Sequence, residues 1–403
     1  MRILMVNPNV VVGGAQKIML YLAKGLQARG HQVVIYTTSV DHANLPAFTR
    51  TLTYHVEEAP ILRAGGELAN FTAIGNLPLL TARLWRLRRG ILRAIRRYAI
   101  DVVNPVNPPA NWLCGRLPVP SVWSCHNNPM AFYKNIRAGY APLWPSKARW
   151  YHRGVEAAYE GTDYLIIRHG IDAIVSLSDR IAAGIQQVYG RASEVIPFAL
   201  SDDDGILAAP APANGKFAHM AREGLRLIQV GQLVADKRPH DSLDVLERVR
   251  ARIPKVSLTY IGDGTLRPAL EQAVKRRGLQ AHVEFLGFKN ERELAPVYAS
   301  AHVLLFPGAE QPYGLVPLEA IWQSVVPVVA TSSGVTGLLA RHGLTTVAEP
   351  TPEAFADQVL SVYAKGEAAG PWLDGIRASL QTELSYDRFL DRYEDVFTRA
   401  MAR

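Results

Sequence analysis

A doubly wound α/β fold, built twice over, is what this sequence predicts, on three observations. Short apolar runs recur along the chain, at Ile3–Val6, Gln32–Thr37, Leu225–Val230, Val256–Ile261 and Val303–Phe306. Runs of this length, rich in Val, Ile and Leu, read as strands buried in a parallel sheet. The stretches between them carry apolar residues at helical spacing, so the chain reads strand, loop, helix, strand. Finally, 403 residues is more than one ordinary core accommodates, and two domains is the natural division.

Composition narrows the class further. Hydrophobic residues make up 48% and charged residues 20%, which describes a soluble globular chain and excludes a disordered one. The two cysteines, Cys114 and Cys125, supply neither a disulfide framework nor a metal cluster, so a cytoplasmic location is expected. The opening MRILMVNPNVVV has one charge and an apolar run cut by Pro8, and reads as a first strand rather than a signal peptide. No apolar run approaches the roughly 20 residues that span a bilayer. A net charge of +8 favours polyanionic partners: nucleotide diphosphates, anionic lipid surfaces or nucleic acid.

In the first half, Ile3–Val6 leads into a loop ending Gly13-Gly14. Ala15–Arg29 follows as an amphipathic helix on Ile18, Leu22 and Leu26, stopped by Gly30. With Gln32–Thr37 this makes a βαβ unit and a right-handed crossover. The loop is not G-x-G-x-x-G, so the dinucleotide-cofactor fingerprint is absent. Its glycine pair allows backbone to approach a ligand closely, and a tight turn also accounts for it. Residues 39–76 are polar and irregular.

Leu77–Ile100 is a basic helix: Arg83, Arg86, Arg88, Arg89, Arg93, Arg96 and Arg97 with no acid among them, and Leu80, Leu84, Leu87, Ile91 and Ile95 at helical period. It suits an anionic membrane surface with Trp85 at the interface, or equally a sheet-covering helix with a solvated basic face. Ser121–Cys125 is a short strand delivering His126 to its carboxyl end, where doubly wound folds bind ligands; a core histidine also fits. Aromatic and basic residues interleave from Tyr133 to Arg153, but no recognised nucleic-acid module surrounds them, so no nucleic-acid partner is expected. Tyr164–Ile167 and Ala173–Ser176 read as strands, and Ser178 as the N-cap of a helix over Asp179–Val188.

Ser201–Gly215, rich in Asp, Ala, Pro and Gly, marks the boundary: 1–200 for the first domain, 201–384 for the second. The second repeats the rhythm. Leu225–Val230 leads to Gly231-Gln232 and then Lys237, Val256–Ile261 to Gly262-Asp263-Gly264, and Val283–Leu286 to Gly287 and Phe288. Val303–Phe306 opens FPGAEQPYGLVPLEAIW. There Gly314 starts a helix on Leu315, Leu318 and Trp322, with Pro317 tolerable in the first turn. The amides of Gly314, Leu315 and Val316 at a positive dipole end suit phosphate. Glu319, one turn in, is placed to hydrogen-bond a ribose. An ordinary αβ connection with an exposed Glu fits the same residues. Lys237 belongs at the same strand ends, where an ammonium offsets charge on a departing diphosphate.

QPYGLVPLEA resembles the E-x7-E signature of retaining glycosyltransferases of the GT-B fold, family 4. The resemblance extends over nearly the whole chain, including GGAQ…LAKGLQARGHQVVIYT. It implies two Rossmann-like doubly wound domains facing a cleft, with a helix at about 385–403 returning to the first. Glu319 matches the second acid and Tyr313 the aromatic of the signature. The first acid slot, which the family uses to hold donor-sugar hydroxyls, falls on Gln311, with Glu310 one residue early. Either Gln311 supplies the hydrogen-bonding half of that role or a bulge brings Glu310 in. In the family's G-R-x-x-x-x-K pattern, Gln232 takes the Arg slot and Lys237 the Lys slot. Gly13 and Gly14 match the opening loop near the donor phosphates, His126 the histidine that contacts the sugar, and Phe288 the segment whose backbone reads the base.

The resemblance implies transfer of a sugar from a nucleotide diphosphate sugar to a carbohydrate-type acceptor with retention of configuration. No metal is expected, since Asp202–Asp204 sit in the linker, and no cofactor beyond the sugar nucleotide, which is a substrate. Two other classes stay open: a sugar-nucleotide epimerase of the same architecture, and a non-catalytic nucleotide-binding partner. The second is favoured by Gln232, Gln311 and Leu338 at positions the family usually charges.

Overall fold

A computed structural model describes residues 1–11, 13–57, 77–106, 108–127, 129, 149–199 and 215–403, without the side chains of 77–83, 149–159 and 291. The aromatic and basic stretch 133–148 and nearly all of the linker 201–215 lie outside these residues, as do residues 58–76 of the irregular segment 39–76. The chain forms two compact units: Met1–Phe198 together with Asp387–Arg403, and Ala199–Tyr386.

In the first unit, β1 (Arg2–Val6), β2 (Asn9–Val10), β3 (Gln32–Thr37), β4 (Ser39–Val40), β5 (Thr53–Val56) and β6 (Val102–Pro105) come first. After them run β7 (Val122–Cys125), β8 (Ala173–Ser176) and β9 (Glu194–Val195). A parallel sheet runs β5-β3-β1-β6, and a second runs β7-β8-β9. A parallel bridge between Val103 and Ser121 joins the two. Ile3, Leu4 and Met5 are wholly buried, as strands covered on both faces require.

The helix Leu77–Arg97 spends its apolar face on this sheet. Leu87, Ile91, Ala94 and Ile95 pack with Leu4, Val34 and Val103. The last helix, Tyr386–Met401, buries Phe389, Tyr393 and Phe397 elsewhere in this unit, with Phe389 edge-on to Phe198 and Tyr393 Oη 3.2 Å from Ser124 Oγ of β7. Arg29 anchors it through Asp387, Asp391 and Glu394 at 2.6–3.0 Å.

One expected strand is absent. Tyr164–Ile167 lies inside the helix Arg149–Gly170. Its four residues do not share a fate: Ile167 is buried, with Asp163 and Gly170 three or four positions away, while Leu165 is 58% exposed. That is a helical spacing, which a run of four apolar residues does not reveal.

The second unit holds β10 (Leu225–Val230), β11 (Val256–Ile261), β12 (Val283–Gly287), β13 (Val303–Phe306), β14 (Val326–Ala330) and β15 (Val347–Ala348). They form one parallel sheet, in the order β12-β11-β10-β13-β14-β15. The chain therefore winds outward from β10 in one direction and from β13 in the other. The point where the order reverses lies between these two strands, paired through Leu227–Val303 and Ile228–Leu304. Ligands of doubly wound sheets bind outside the carboxyl ends of strands at such a point.

Candidate functional site

Two loops leave the sheet at that reversal. The loop after β10 runs through Gly231, at φ 137°, and Gln232 to a 3₁₀ turn over Ala235–Lys237. The turn is tied back to its own strand: Gln229 Nε2 donates to the Lys237 carbonyl at 2.9 Å. Gln229 is a buried polar residue near the carboxyl end of a strand that reads LRLIQV, and that was the signal in the sequence for a side chain with work at the strand end.

The Gly262-Asp263-Gly264 turn braces the loop from the next strand. Leu233 N donates to the Asp263 carbonyl at 2.9 Å and Leu266 N to the Leu233 carbonyl at 2.9 Å. A Cβ at Gly262 would lie 2.1 Å from the Gly231 carbonyl oxygen, so only glycine permits this approach.

The loop after β13 meets the turn from the other side. Gln311, 5% exposed, accepts a hydrogen bond at Oε1 from Lys237 Nζ. Its Nε2 donates to the carbonyls of Asp236 and Ala309, each at 3.3 Å. Glu310 instead sits exposed at φ 55°, its amide on Ser332 Oγ at 3.3 Å. The first acid slot is thus filled by Gln311, and no bulge brings Glu310 into it. Gln311 uses its amide to hold Lys237 and the 3₁₀ turn.

Among the described residues Lys237 pairs with Asp236, Nζ lying 3.6 Å from Oδ2. Burial lowers its pKa from the ordinary lysine value, and Asp236 partly restores it. Arg238 does not add a second cation, because it turns to Asp241 at 2.5 Å. Gln232 is exposed beside the turn.

Gly314 opens the helix Leu315–Trp322 at φ 139°, and no side chain caps it. A Cβ there would sit 2.9 Å from Val335 Cγ1. The first-turn amides of Leu315 and Val316 therefore begin a helix whose N-terminus lacks a side-chain acceptor. Tyr313 is 4% exposed, and its carbonyl takes hydrogen bonds from Val335 N at 3.1 Å and Ser333 Oγ at 3.0 Å, fixing the approach to Gly314. Glu319 is not the exposed glutamate of an ordinary connection: it is 7% exposed, and Tyr298 Oη donates to its Oε2 at 3.4 Å. No sequence pattern points to Tyr298, which lies on the helix Glu291–Ser300. Leu338 packs in the core at 5% exposure. Phe288, just past β12, is 57% exposed.

In the first unit, Gly13 precedes the helix Gly14–Ala28. His126, just beyond β7, is 4% exposed, with Nδ1 3.2 Å from the Ala15 carbonyl oxygen. Burial holds its pKa down at about 4. The structure thus groups Lys237, Gln311, Gly314 and Glu319 in the second unit, and Gly13, Gly14 and His126 in the first. Among the described residues no three His, Cys, Asp or Glu side chains gather as a metal site.

Paired doubly wound units, the second with an uncapped helix N-terminus and a lysine at its strand reversal, define a nucleotide-handling α/β protein. The family model described as Glycosyltransferase Family 4 matches residues 12–201, and that described as Glycosyl transferases group 1 matches residues 217–371. The chain is a glycosyltransferase of the GT-B fold. It is 28% identical over 367 residues to a glycogen synthase of Mycobacterium tuberculosis, covering 86% of this chain and 82% of that one. Among solved structures it resembles sucrose-phosphate synthase of Thermosynechococcus elongatus (TM-score 0.76, 16% identity, 100% and 99% of the two chains). It also resembles HepE of Anabaena in complex with UDP-glucose (TM-score 0.70, 14% identity, 99% and 100%).

Proposed function

We propose that the protein transfers a sugar from a nucleotide diphosphate sugar to a carbohydrate-type acceptor with retention of configuration. The second unit holds the donor and the first serves the acceptor side. The observation that carries the reading is Lys237, fixed by Gln311 at the strand reversal that also carries the uncapped helix at Gly314. As the sugar–oxygen bond breaks, the diphosphate gathers negative charge. The Lys237 ammonium and the Leu315 and Val316 amides lie where that charge would be met. Retention follows if the acceptor oxygen attacks the face the diphosphate is leaving, its proton passing to the departing phosphate oxygen. Glu319 then serves the ribose, Phe288 and its backbone the base, Gln232 the phosphates, and His126 with Gly13-Gly14 the sugar side.

A panel of UDP-, GDP- and ADP-sugars tests this. Slow release of one nucleotide, with the sugar anomer unchanged by NMR, is expected. Release of free epimer would indicate the epimerase instead, and silence across the panel a non-catalytic nucleotide-binding partner.

A second reading concerns the Arg83–Arg97 segment. We infer that it sits on an anionic membrane, which would make the enzyme peripheral on the inner face. Its apolar stripe is already spent on the sheet, so the contact is electrostatic with one aromatic anchor. Trp85 is 57% exposed, and the Arg89 guanidinium lies 3.5 Å from its ring centroid. Arg86, Arg96 and Arg97 are exposed along the same helix, while Arg88 is turned inward to the carbonyls of Leu113 and Gly115 and Arg93 pairs with Glu57. Each basic residue near such a surface contributes about 1 kcal/mol at modest salt. Co-sedimentation with phosphatidylglycerol vesicles should fall about 10-fold or more in an Arg86→Glu, Arg89→Glu double variant, and should fade with salt. Equal sedimentation with neutral phosphatidylcholine vesicles would dispose of the idea.

A further inference from the structure

A concavity lies wholly within the first unit, behind the strand ends of β6 and β7. Its wall includes Val106, Pro108, Asn111, Trp123, Cys125 and His126. Three polar atoms of that wall are buried with no hydrogen-bond partner among the described residues: Asn111 Oδ1, Trp123 Nε1 and His126 Nε2. The residues that carry them are 1%, 2% and 4% exposed. Another polar group there, Asp163, is already engaged by the Trp112 indole and by Tyr189 Oη at 2.6 Å. Native proteins seldom bury unmet polar atoms, and three in one wall imply something that meets them.

The chemistry of the three atoms says what. The carbonyl of Ala15 only accepts, so His126 Nδ1 carries the hydrogen in their 3.2 Å contact and Nε2 keeps its lone pair. The depressed pKa keeps the ring neutral at neutral pH. The wall therefore offers one donor, the Trp123 indole N–H, and two acceptors, Asn111 Oδ1 and His126 Nε2. We propose that this pocket binds a single O–H oxygen, which accepts from Trp123 and donates to His126 and, when it is water with a second hydrogen, to Asn111 as well. An anion has no hydrogen to give the two acceptors, and an ammonium has no lone pair for the indole. Water has two hydrogens and one accepting site to spare, and satisfies all three atoms at once. A carbohydrate hydroxyl has one hydrogen and satisfies two. Bound there, the oxygen holds from its Nε2 side the ring whose tautomer Ala15 sets, and Trp123 and Asn111 become positioning residues for that ring. The inference stands independently of the transferase reading.

A crystal structure of the full chain, with ¹⁵N NMR of His126, tests it. The expected result is one density peak within hydrogen-bond reach of the three atoms, kept as water in the free protein. A UDP-glucose soak separates the sources: an unchanged peak means water, and a peak continuous with sugar density means a substrate hydroxyl. Trp123→Phe removes the donor while keeping an aromatic ring. It should remove the peak and shift the Nε2 resonance toward that of an imidazole nitrogen without a hydrogen bond. Trp123 packs edge-on against Tyr189 at 6.0 Å, so if that variant fails to fold, Asn111→Val gives the same readout from the opposite side. An empty pocket in the wild type, or an Nε2 resonance identical in wild type and variant, overturns the proposal.

Discussion

Lys237→Ala is expected to lower the rate of sugar transfer about 10²–10³-fold, the range seen when one preorganised charge-stabilising donor is removed from a transition state. The effect should fall on kcat more than on KM for the donor. A bound nucleotide sugar already carries its phosphate charges, but the additional charge that reaches the bridging oxygen exists only as the bond breaks. Lys237 has the setting that this proposed role requires. Its backbone is pinned by Gln229, its ammonium by Gln311, and its pKa is lowered by burial with only Asp236 to oppose the shift. A neutral amide in the Gln311 position orients the ammonium without neutralising it, as a carboxylate there would. Steady-state kinetics with the cognate donor decide the matter. Turnover at the wild-type rate in the alanine variant would remove Lys237 from the site.

The parts of this fold that could be read from the sequence share one property: each is specified by residues close together in the chain. The apolar runs that became β1, β10, β11 and β13 announce themselves by composition. The helix at Leu315 announces its start through Gly314 and Pro317. Ser178 accepts from Ile181 N at 3.3 Å, a cap that local spacing foretells. What escaped was set by distant partners. Tyr164–Ile167 looked like a strand because four apolar residues carry no period, and only the packing of Asp163 and Ile167 settles it as helix. That Gln311 donates to the carbonyl of Asp236, 75 positions earlier in the chain, is a contact no local pattern announces. Tyr298 could not be connected to Glu319 by any pattern, since their contact depends on how two helices lie against β13. In the same way the apolar stripe of Leu77–Arg97 is equally suited to a sheet or a bilayer, and only the presence of Leu4, Val34 and Val103 against it shows which surface takes it.

Glu319→Ala should act in two separable ways. The carboxylate is buried on the helix Leu315–Trp322 and accepts from Tyr298 Oη. Burial, with the carboxylate beside it, raises the Tyr298 pKa well above the ordinary tyrosine value, so the hydroxyl stays a donor. Removing Glu319 strands that hydroxyl in the core at a cost of about 1–3 kcal/mol, visible as a lower denaturant midpoint. If Glu319 also holds the ribose, a charge-assisted hydrogen bond is lost as well, about 1.5–3 kcal/mol, which is roughly 10- to 150-fold in donor affinity. Tyr298→Phe tells the two apart. It deletes the hydroxyl and keeps the carboxylate, so it should disturb stability and leave donor binding near the wild-type value, measured by calorimetry with the nucleotide alone. The 3.4 Å separation is long for an O–H···O bond, so that contact holds the carboxylate weakly and does not compete strongly with a ribose for it. Donor affinity unchanged in Glu319→Ala, with stability lowered to the same extent as in Tyr298→Phe, would reduce Glu319 to a partner of Tyr298 and leave the ribose to be held elsewhere.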